Sequence, residues 1–156
     1  MYGGGTKDPK RVSVHRVLVR SYYTSLLFFL IGVCLDMIFR LNILKGVMIA
    51  PAGFIFLIAG TWLIIWAQHT SRNFQNDNIT SESFRRGPYS FTRNPTYWGL
   101  YLVLFGFGLV INAIFVLAST IVSFFITKFF FLKQEEKILA EKYGDAYLEY
   151  KKSVHT

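Results

Sequence analysis

A cationic turn that leads into an apolar segment is the part of this chain best suited to bind a ligand. Residues 85–99, RRGPYSFTRNPTYWG, contain three arginines, two tyrosines and two prolines. The Gly-Pro and Asn-Pro pairs are turn signals, and Pro95 suits the first position of a helix. Arg93 and Asn94 offer charge and hydrogen bonds to an anion. The residue types leave two interpretations open: an anion-binding site, or a basic loop that fixes topology and contacts lipid headgroups.

Two other places carry groups that could take part in chemistry. Glu135 and Glu136 follow the last apolar run, and successive helical residues point about 100° apart, so at most one normally faces a given pocket. A solvated acidic turn is the competing interpretation. His69 lies in the long polar segment 68–93 and is a candidate to line a catalytic site. It has no partner at metal-ligand spacing and Cys34 is the only cysteine, so we expect neither a metal site nor a disulfide.

The composition places these groups in a membrane protein. Hydrophobic residues make up 53% of the chain and charged residues 17%, and the apolar residues come in long runs without helical spacing. The net charge of +8 comes from basic residues outside those runs. Membrane lipid and the positive-inside rule account for that charge, so no nucleic-acid partner is expected.

The pattern predicts an all-α integral membrane protein with about four transmembrane helices. An interfacial helix over 10–20 leads into spans at 22–39 and 46–67. The uncharged segment 94–127 would be about 50 Å long as one helix, more than a hydrocarbon core of about 30 Å, so we expect a tight hairpin that turns near Asn112.

The charge pattern also predicts the orientation and the end of the chain. A hairpin brings the C-terminal half back to the side of the cationic turn and the basic N-terminal arm, and the positive-inside rule makes that side, with both termini, cytoplasmic. Residues 134–152 are amphipathic and are expected to form cytosolic helices, with a break at Gly144-Asp145. Asp36, beside Arg40, is interpreted as half of an exposed interfacial ion pair rather than a functional intramembrane acid.

Four short motifs follow one another between residues 60 and 150. They are Gly87-Pro88-Tyr89, Arg93-Asn94-Pro95-x-Tyr97-x-Gly99, Glu135-Glu136-x-x-Leu139 and Tyr143-Gly144-x-x-Tyr147-x-x-Tyr150. Together, on either side of an apolar hairpin, they resemble the integral-membrane methyltransferases. That superfamily includes isoprenylcysteine carboxyl methyltransferase and the phospholipid methyltransferases.

The resemblance implies methyl transfer from S-adenosylmethionine to a lipophilic or lipid-modified acceptor. The cofactor would come from the cytosol and the acceptor from the bilayer. Seven residues are implied to surround the cofactor: Tyr89, Arg93, Asn94, Tyr97, Gly99, Glu135 and Glu136. Arg93, Asn94 and His69 are the candidates for a catalytic role. The implied organisation is an N-terminal arm (1–20), two transmembrane helices (21–67), a methyltransferase-like core (68–152) and a tail (153–156).

The chain departs from the family pattern at two points. The commonest motif has histidine before the proline, where this chain has Asn94, which forms hydrogen bonds but cannot shuttle a proton near neutral pH. Lys151-Lys152-Ser153 stands where the family often has arginine and proline.

Two other functions remain open on the sequence. A sterol-reductase-like membrane enzyme that uses NADPH has a similar C-terminal pattern, although such proteins are usually longer. A non-catalytic membrane scaffold would use the same loop residues as anchors. Nothing in the pattern predicts the acceptor or an oligomeric state.

Overall fold

The described part of the protein is a bundle of helices. The computed structural model describes residues 9–39, 41, 49–72, 82 and 85–154, with side chains from residue 16 onward. Within these ranges there are six α-helices and no strand: α1 Pro9–Phe39, α2 Ala50–Arg72, α3 Pro95–Val110, α4 Ile114–Ile126, α5 Leu132–Tyr143 and α6 Asp145–Ser153. A 3₁₀ turn, Gly87–Ser90, precedes α3, and a π-helical turn, Thr127–Phe131, joins α4 to α5.

Three stretches of helix are long and apolar enough to cross a membrane: Arg16–Phe39, Ala50–Arg72 and Ile114–Tyr143. The apolar helix Pro95–Val110 is shorter. Side chains such as Met37 and Ile58 are 72% and 70% exposed, as expected for surfaces that face lipid. The fold is therefore that of an all-helical membrane protein.

The observed helices differ in their bounds from the predicted segments. The expected interfacial helix and first span form one continuous helix, α1, because no proline follows Pro9 to interrupt it. The second span ends five residues later than expected, at Arg72, and its expected first residues, 46–48, lie outside the described residues. Most of the polar segment between α2 and the 3₁₀ turn also lies outside them.

Four glycines allow α2 and α3 to pack closely as an antiparallel pair. A Cβ atom on Gly53 would lie 2.7 Å from the carbonyl oxygen of Gly106, and one on Gly60 would lie 2.7 Å from that of Gly99. Any larger residue would push the two backbones apart. Close packing at small residues is how helices associate in lipid, where no hydrophobic force drives them together. It fixes the depth at which the start of α3 sits against α2.

A carboxylate from α1 caps the start of α4. The backbone N–H of Phe115 donates to Oδ1 of Asp36 at 3.2 Å, and that of Val116 donates to Oδ2 at 2.9 Å. The first N–H groups of a helix have no intrahelical partner, so Asp36 satisfies two of them and ties α1 to α4. The sequence suggested that Asp36 forms an ion pair with Arg40 instead. Arg40 lies outside the described residues.

The chain turns between α3 and α4 at residues 111–113. Asn112 has φ of 55°, the left-handed conformation that asparagine tolerates better than most residues. The N–H of Ala113 donates to the carbonyl oxygen of Gly108 at 2.9 Å and closes the end of α3. The short segment 111–113 thus separates α3 from α4.

A left-handed glycine separates the last two helices. Gly144 has φ of 56° and lies between Tyr143, which ends α5, and Asp145, which begins α6. This break folds α6 back, so that Tyr147, Tyr150 and Val154 form a small buried cluster with side chains of α5.

Candidate functional site

Glu136 joins three separate parts of the chain through two ion pairs. Its Oε1 lies 2.7 Å from Nη1 of Arg93, and its Oε2 lies 2.8 Å from Nζ of Lys151. The Arg93 and Glu136 side chains are 11% and 16% exposed, whereas that of Lys151 is 42% exposed. The structure therefore brings together Arg93, from the turn before α3, and Glu136, from α5, which are far apart in sequence.

Two buried tyrosines of α6 hold this cluster in place. The Tyr147 side chain hydrogen-bonds with Arg93, and the Tyr150 hydroxyl donates to the carbonyl oxygen of Tyr89 at 2.7 Å. Burial raises the pKa of the Tyr147 hydroxyl, and the nearby Glu136 carboxylate raises it further. Tyr147 therefore stays neutral near pH 7 and remains a hydrogen-bond donor.

Tyr89 packs its side chain against the end of α2. Burial raises the pKa of its hydroxyl, while hydrogen bonds with the Thr96 and Ser71 side chains lower it in part. The 3₁₀ turn that carries Tyr89 begins at Gly87, whose φ is 59°. A Cβ there would lie 2.6 Å from Oγ1 of Thr70, so only glycine fits this close approach.

Glu135 points to a different neighbourhood from Glu136, as the 100° between successive helical residues requires. A hydrogen bond joins its carboxylate to the Tyr97 side chain. The Tyr97 hydroxyl also lies 2.9 Å from Oγ of Ser21 in α1, and its ring lies 6.0 Å from that of Tyr22. The second oxygen of Glu135, Oε2, is buried and has no hydrogen-bond partner among the described residues.

Asn94 is the second residue with an unsatisfied buried group. It directly precedes α3 and is 9% exposed, and its Nδ2 has no hydrogen-bond partner within the described ranges. Buried polar groups are rarely left without a partner, because an unmade hydrogen bond costs about 1–3 kcal/mol. Arg93 and Glu136 form an ion pair, and Asn94 and Glu135 are their neighbours in the sequence. A donor without a partner, Nδ2 of Asn94, and an acceptor without a partner, Oε2 of Glu135, therefore each lie next in the chain to a member of this ion pair.

A narrow pocket opens on one side of Asn94. It has about 330 Å³ of space when its open mouth is included, of which about 20 Å³ can hold the centre of a water molecule. Its walls come from the first turns of α3, the end of α4 and the π-helical turn: Asn94, Tyr97, Trp98, Tyr101, Phe124, Thr127, Lys128 and Leu132.

Two of the candidate residues, Gly99 and His69, have no contact with the Arg93–Glu136 pair among the described residues. Gly99 faces α2, where a Cβ atom would lie 2.6 Å from Cγ1 of Ile64, so its observed contact is helix packing. His69 is exposed in the last turn of α2. Among the described residues no hydrogen bond or ion pair joins it to Arg93 or Glu136.

The sequence interpretation missed the hydroxyl groups that α1 contributes. Besides the contact of Ser21 with Tyr97, Oγ of Ser25 lies 3.0 Å from the Tyr101 hydroxyl, which donates to Oγ1 of Thr127 at 2.6 Å. The available signal was the spacing: the two serines, and likewise the two tyrosines, are four residues apart and so share one helical face.

The fold and the contacts described above define a small helical membrane protein with a largely buried cluster of charged and polar side chains. The family model for phospholipid methyltransferases matches residues 47–146. The chain belongs to this family, which confirms the resemblance to membrane methyltransferases, including those of isoprenylcysteine. No curated protein and no solved structure matches the chain. The matched region contains Arg93, Asn94 and both glutamates, whereas α1 and Lys151 lie outside it.

Proposed function

We propose that the protein transfers a methyl group from S-adenosylmethionine to a lipophilic acceptor at the membrane. Membership of the phospholipid methyltransferase family supports methyl transfer in a membrane. The observation that carries the choice of cofactor is the buried Oε2 of Glu135, which has no partner within the described ranges. A carboxylate oxygen held away from water requires a donor or a positive charge, and the cofactor has both.

The groups around Glu135 fit the cofactor's other parts. S-adenosylmethionine has an ammonium, a carboxylate, ribose hydroxyls and a sulfonium. Oε2 of Glu135 would accept from the ammonium or a hydroxyl, and Arg93, oriented by Glu136 and Tyr147, would bind the carboxylate. The tyrosine rings beside Glu135, those of Tyr22 and Tyr97, would face the sulfonium through cation–π contact.

The chain's own contribution to the reaction is positioning. When bound, S-adenosylmethionine would supply an activated methyl group for transfer to a lone pair of the acceptor. The Arg93–Glu136 pair and Tyr147 would fix one end of the cofactor against α5 and α6. Alignment of the reacting atoms in a site without water supplies much of the rate, so no strong general base is required for an acceptor that arrives ionised.

The asparagine before the proline is consistent with this mechanism. Asn94 is buried and offers an amide donor, so it would bind and orient rather than exchange a proton. His69 is exposed at the end of α2. We place this site and both termini on the cytosolic side, on the charge pattern.

The test is calorimetric binding of S-adenosylmethionine and, separately, NADPH to the detergent-purified protein. We expect micromolar binding of S-adenosylmethionine and none of NADPH. Glu135→Gln should weaken S-adenosylmethionine about 10- to 100-fold, the effect of losing one charge-assisted hydrogen bond. The control is Glu141→Gln, a change of an exposed glutamate in the same helix, which should leave affinity unchanged.

Three results would overturn the proposal. Binding of NADPH alone would favour a reductase, and binding of neither nucleotide would favour a scaffold. Equal affinities in the Glu135 and Glu141 variants would remove Glu135 from the cofactor site.

A further inference from the structure

A row of hydroxyl groups links the backbone of α1 to Glu135. The Ser21 hydroxyl donates to the carbonyl oxygen of Leu18 at 2.8 Å, and its oxygen lies 2.9 Å from the Tyr97 hydroxyl. The Tyr97 side chain in turn hydrogen-bonds with Glu135. Ser21 and Tyr97 are 0% and 4% exposed, so water does not replace either partner. Because the family match covers residues 47–146, family membership says nothing about Ser21.

The direction of the hydrogen bonds in this row depends on the charge of Glu135. Each hydroxyl has one hydrogen to donate. If Ser21 donates to Leu18, the contact between Ser21 and Tyr97 requires that Tyr97 donates to Ser21. Tyr97 then has no hydrogen left for Glu135, and their contact forms only when Glu135 is a protonated acid that donates to Tyr97. A neutral Glu135 therefore satisfies all three contacts together.

An ionised Glu135 requires the opposite direction. Its carboxylate accepts from Tyr97, so Tyr97 accepts from Ser21, and the Ser21 hydroxyl must turn away from Leu18. The Leu18 carbonyl oxygen still accepts the helical hydrogen bond from the N–H of Tyr22, so it is not left without a partner. The reversal thus requires the rotation of two hydroxyl groups and no movement of a helix.

The groups around Glu135 favour its neutral form in the protein without ligand. Among the described residues, the ionisable groups that face it are four tyrosines and one acid: Tyr22 of α1, Tyr89 before α3, Tyr97 of α3, Tyr147 of α6 and the adjacent Glu136. Tyrosines are uncharged near pH 7, and Arg93 and Lys151 form their ion pairs with Glu136. Ionisation of Glu135 would place a second negative charge beside Glu136 and leave the buried Oε2 without a donor, and both effects cost free energy.

We propose that Ser21 is a positioning residue that controls the charge of Glu135. In the protein without cofactor, Glu135 holds a proton and donates it along the row to Tyr97. When the cation of S-adenosylmethionine lies against Oε2, the O–H bond of the acid breaks and its proton passes to the solvent. Tyr97 then donates to the carboxylate and Ser21 donates to Tyr97. The release of the proton by S-adenosylmethionine rests on the proposed function, whereas the control of Glu135 by Ser21 does not.

Infrared spectroscopy of the detergent-purified protein tests the control by Ser21 without any ligand. The C=O stretching band of a protonated carboxyl group reports the proton directly, and its loss in Glu135→Gln assigns the band. We expect the wild type to show this band at pH 7. Ser21→Ala leaves Tyr97 with Glu135 as its acceptor, which stabilises the carboxylate. The variant should therefore hold the proton about tenfold more weakly, the effect of one hydrogen bond to a charged group, and show a smaller band at the same pH.

The matched control is Ser25→Ala. Ser25 lies about one helical turn after Ser21 and is 2% exposed, and its Oγ lies 3.0 Å from the Tyr101 hydroxyl. Its variant should show the wild-type band. The Tyr97→Phe background tests whether Ser21 acts through Tyr97, because there Ser21→Ala should no longer change the band.

Three infrared results would overturn the proposal. A wild type without a Glu135 band would mean that Glu135 is ionised before any ligand binds. Equal effects of Ser21→Ala and Ser25→Ala would mean a general disturbance of α1. An effect of Ser21→Ala that persists in the Tyr97→Phe background would remove the row of hydroxyl groups as its cause.

Calorimetric titration of S-adenosylmethionine at pH 7, in phosphate and in Tris buffer, tests the release of the proton. The two buffers differ in ionisation enthalpy, so the difference between the measured binding enthalpies gives the number of protons released. We expect about one proton per cofactor in the wild type and fewer in Ser21→Ala. Binding without proton release would overturn the reversal of the row. A Glu135 band that depends on Ser21, in a protein that does not bind S-adenosylmethionine, would remove the proposed function and leave the role of Ser21 in place.

Discussion

The two ion pairs of Glu136 should contribute very different energies to stability, although their lengths are nearly equal. The Arg93–Glu136 pair spans 2.7 Å with both side chains largely buried, whereas Lys151, 2.8 Å from the same carboxylate, is 42% exposed. Unit charges about 4 Å apart attract by about 4 kcal/mol at an effective dielectric constant of about 20. Desolvation offsets part of that attraction in the buried pair.

We expect a coupling energy of about 1.5–3 kcal/mol between Arg93 and Glu136 and below about 1 kcal/mol between Lys151 and Glu136. Each coupling is measured by a double-mutant cycle with alanine. The Arg93→Ala, Glu136→Ala double variant should lose less stability than the two single variants together, because it leaves neither member of the Arg93–Glu136 pair without the other. The loss of the Lys151 contact is common to Glu136→Ala and the double variant and cancels in the cycle.

The assay is reversible unfolding in mixed detergent–SDS micelles, followed by far-ultraviolet circular dichroism at low and high salt. At about 1 M salt the Debye length is about 3 Å, so the Lys151 coupling should disappear while the Arg93 coupling persists. Additivity within about 0.3 kcal/mol for the Arg93 cycle would refute the buried pair. Equal coupling energies in the two cycles would refute the argument from burial.

Two further predictions concern the contacts that position the site. Asp36→Ala should lower the free energy of unfolding by about 1–2 kcal/mol in the same assay, the usual effect of losing a helix cap. The control, Asp145→Ala, removes an exposed acid that makes no capping bond and should change the free energy by less than about 0.5 kcal/mol. Equal effects of the two substitutions would contradict the cap. Gly60→Ala should lower the free energy of unfolding by about 1–3 kcal/mol, because its Cβ would lie 2.7 Å from the Gly99 carbonyl oxygen. The control, Ile58→Ala on the exposed face of α2, should lower it by less. A Gly60→Ala variant that is more stable than the parent would contradict the close packing.

The two members of the ion pair, Arg93 and Glu136, could be selected from the sequence because charged residues are few in this apolar chain and lie outside its apolar runs. Arg93 and Glu136 stand at the two ends of the apolar region that contains the turn at Asn112. Once that region folds back on itself, both ends reach the same side. The motif resemblance pointed to the same pair, and the two glutamates were expected to face different surroundings. The sequence could not predict that Glu136 would form ion pairs with Arg93 and Lys151, or that Glu135 would form a hydrogen bond with Tyr97.

The contribution of α1 could not be read in the same way. Ser21 and Tyr22 lie in an apolar run with no motif, and their approach to Tyr97 depends on which helices pair in space. The structure pairs α2 with α3 through glycines and joins α1 to α4 through Asp36. The glycines carried a signal for the first pairing, since each helix has two of them seven residues apart on one face.

The wide turn between α4 and α5 connects the two halves of the site. One extra residue in a turn rotates everything after it by about 100° relative to a regular helix. Thr127 and Lys128 stay on the pocket side, and the rotation determines that Glu135 meets Tyr97 and Glu136 meets Arg93. Without it, the glutamates and the pocket residues would keep a different angular relation on the same helix. The local irregularity, which no residue type in Thr127–Phe131 predicts, therefore sets the angle between the pocket-lining residues of this helix and its two glutamates.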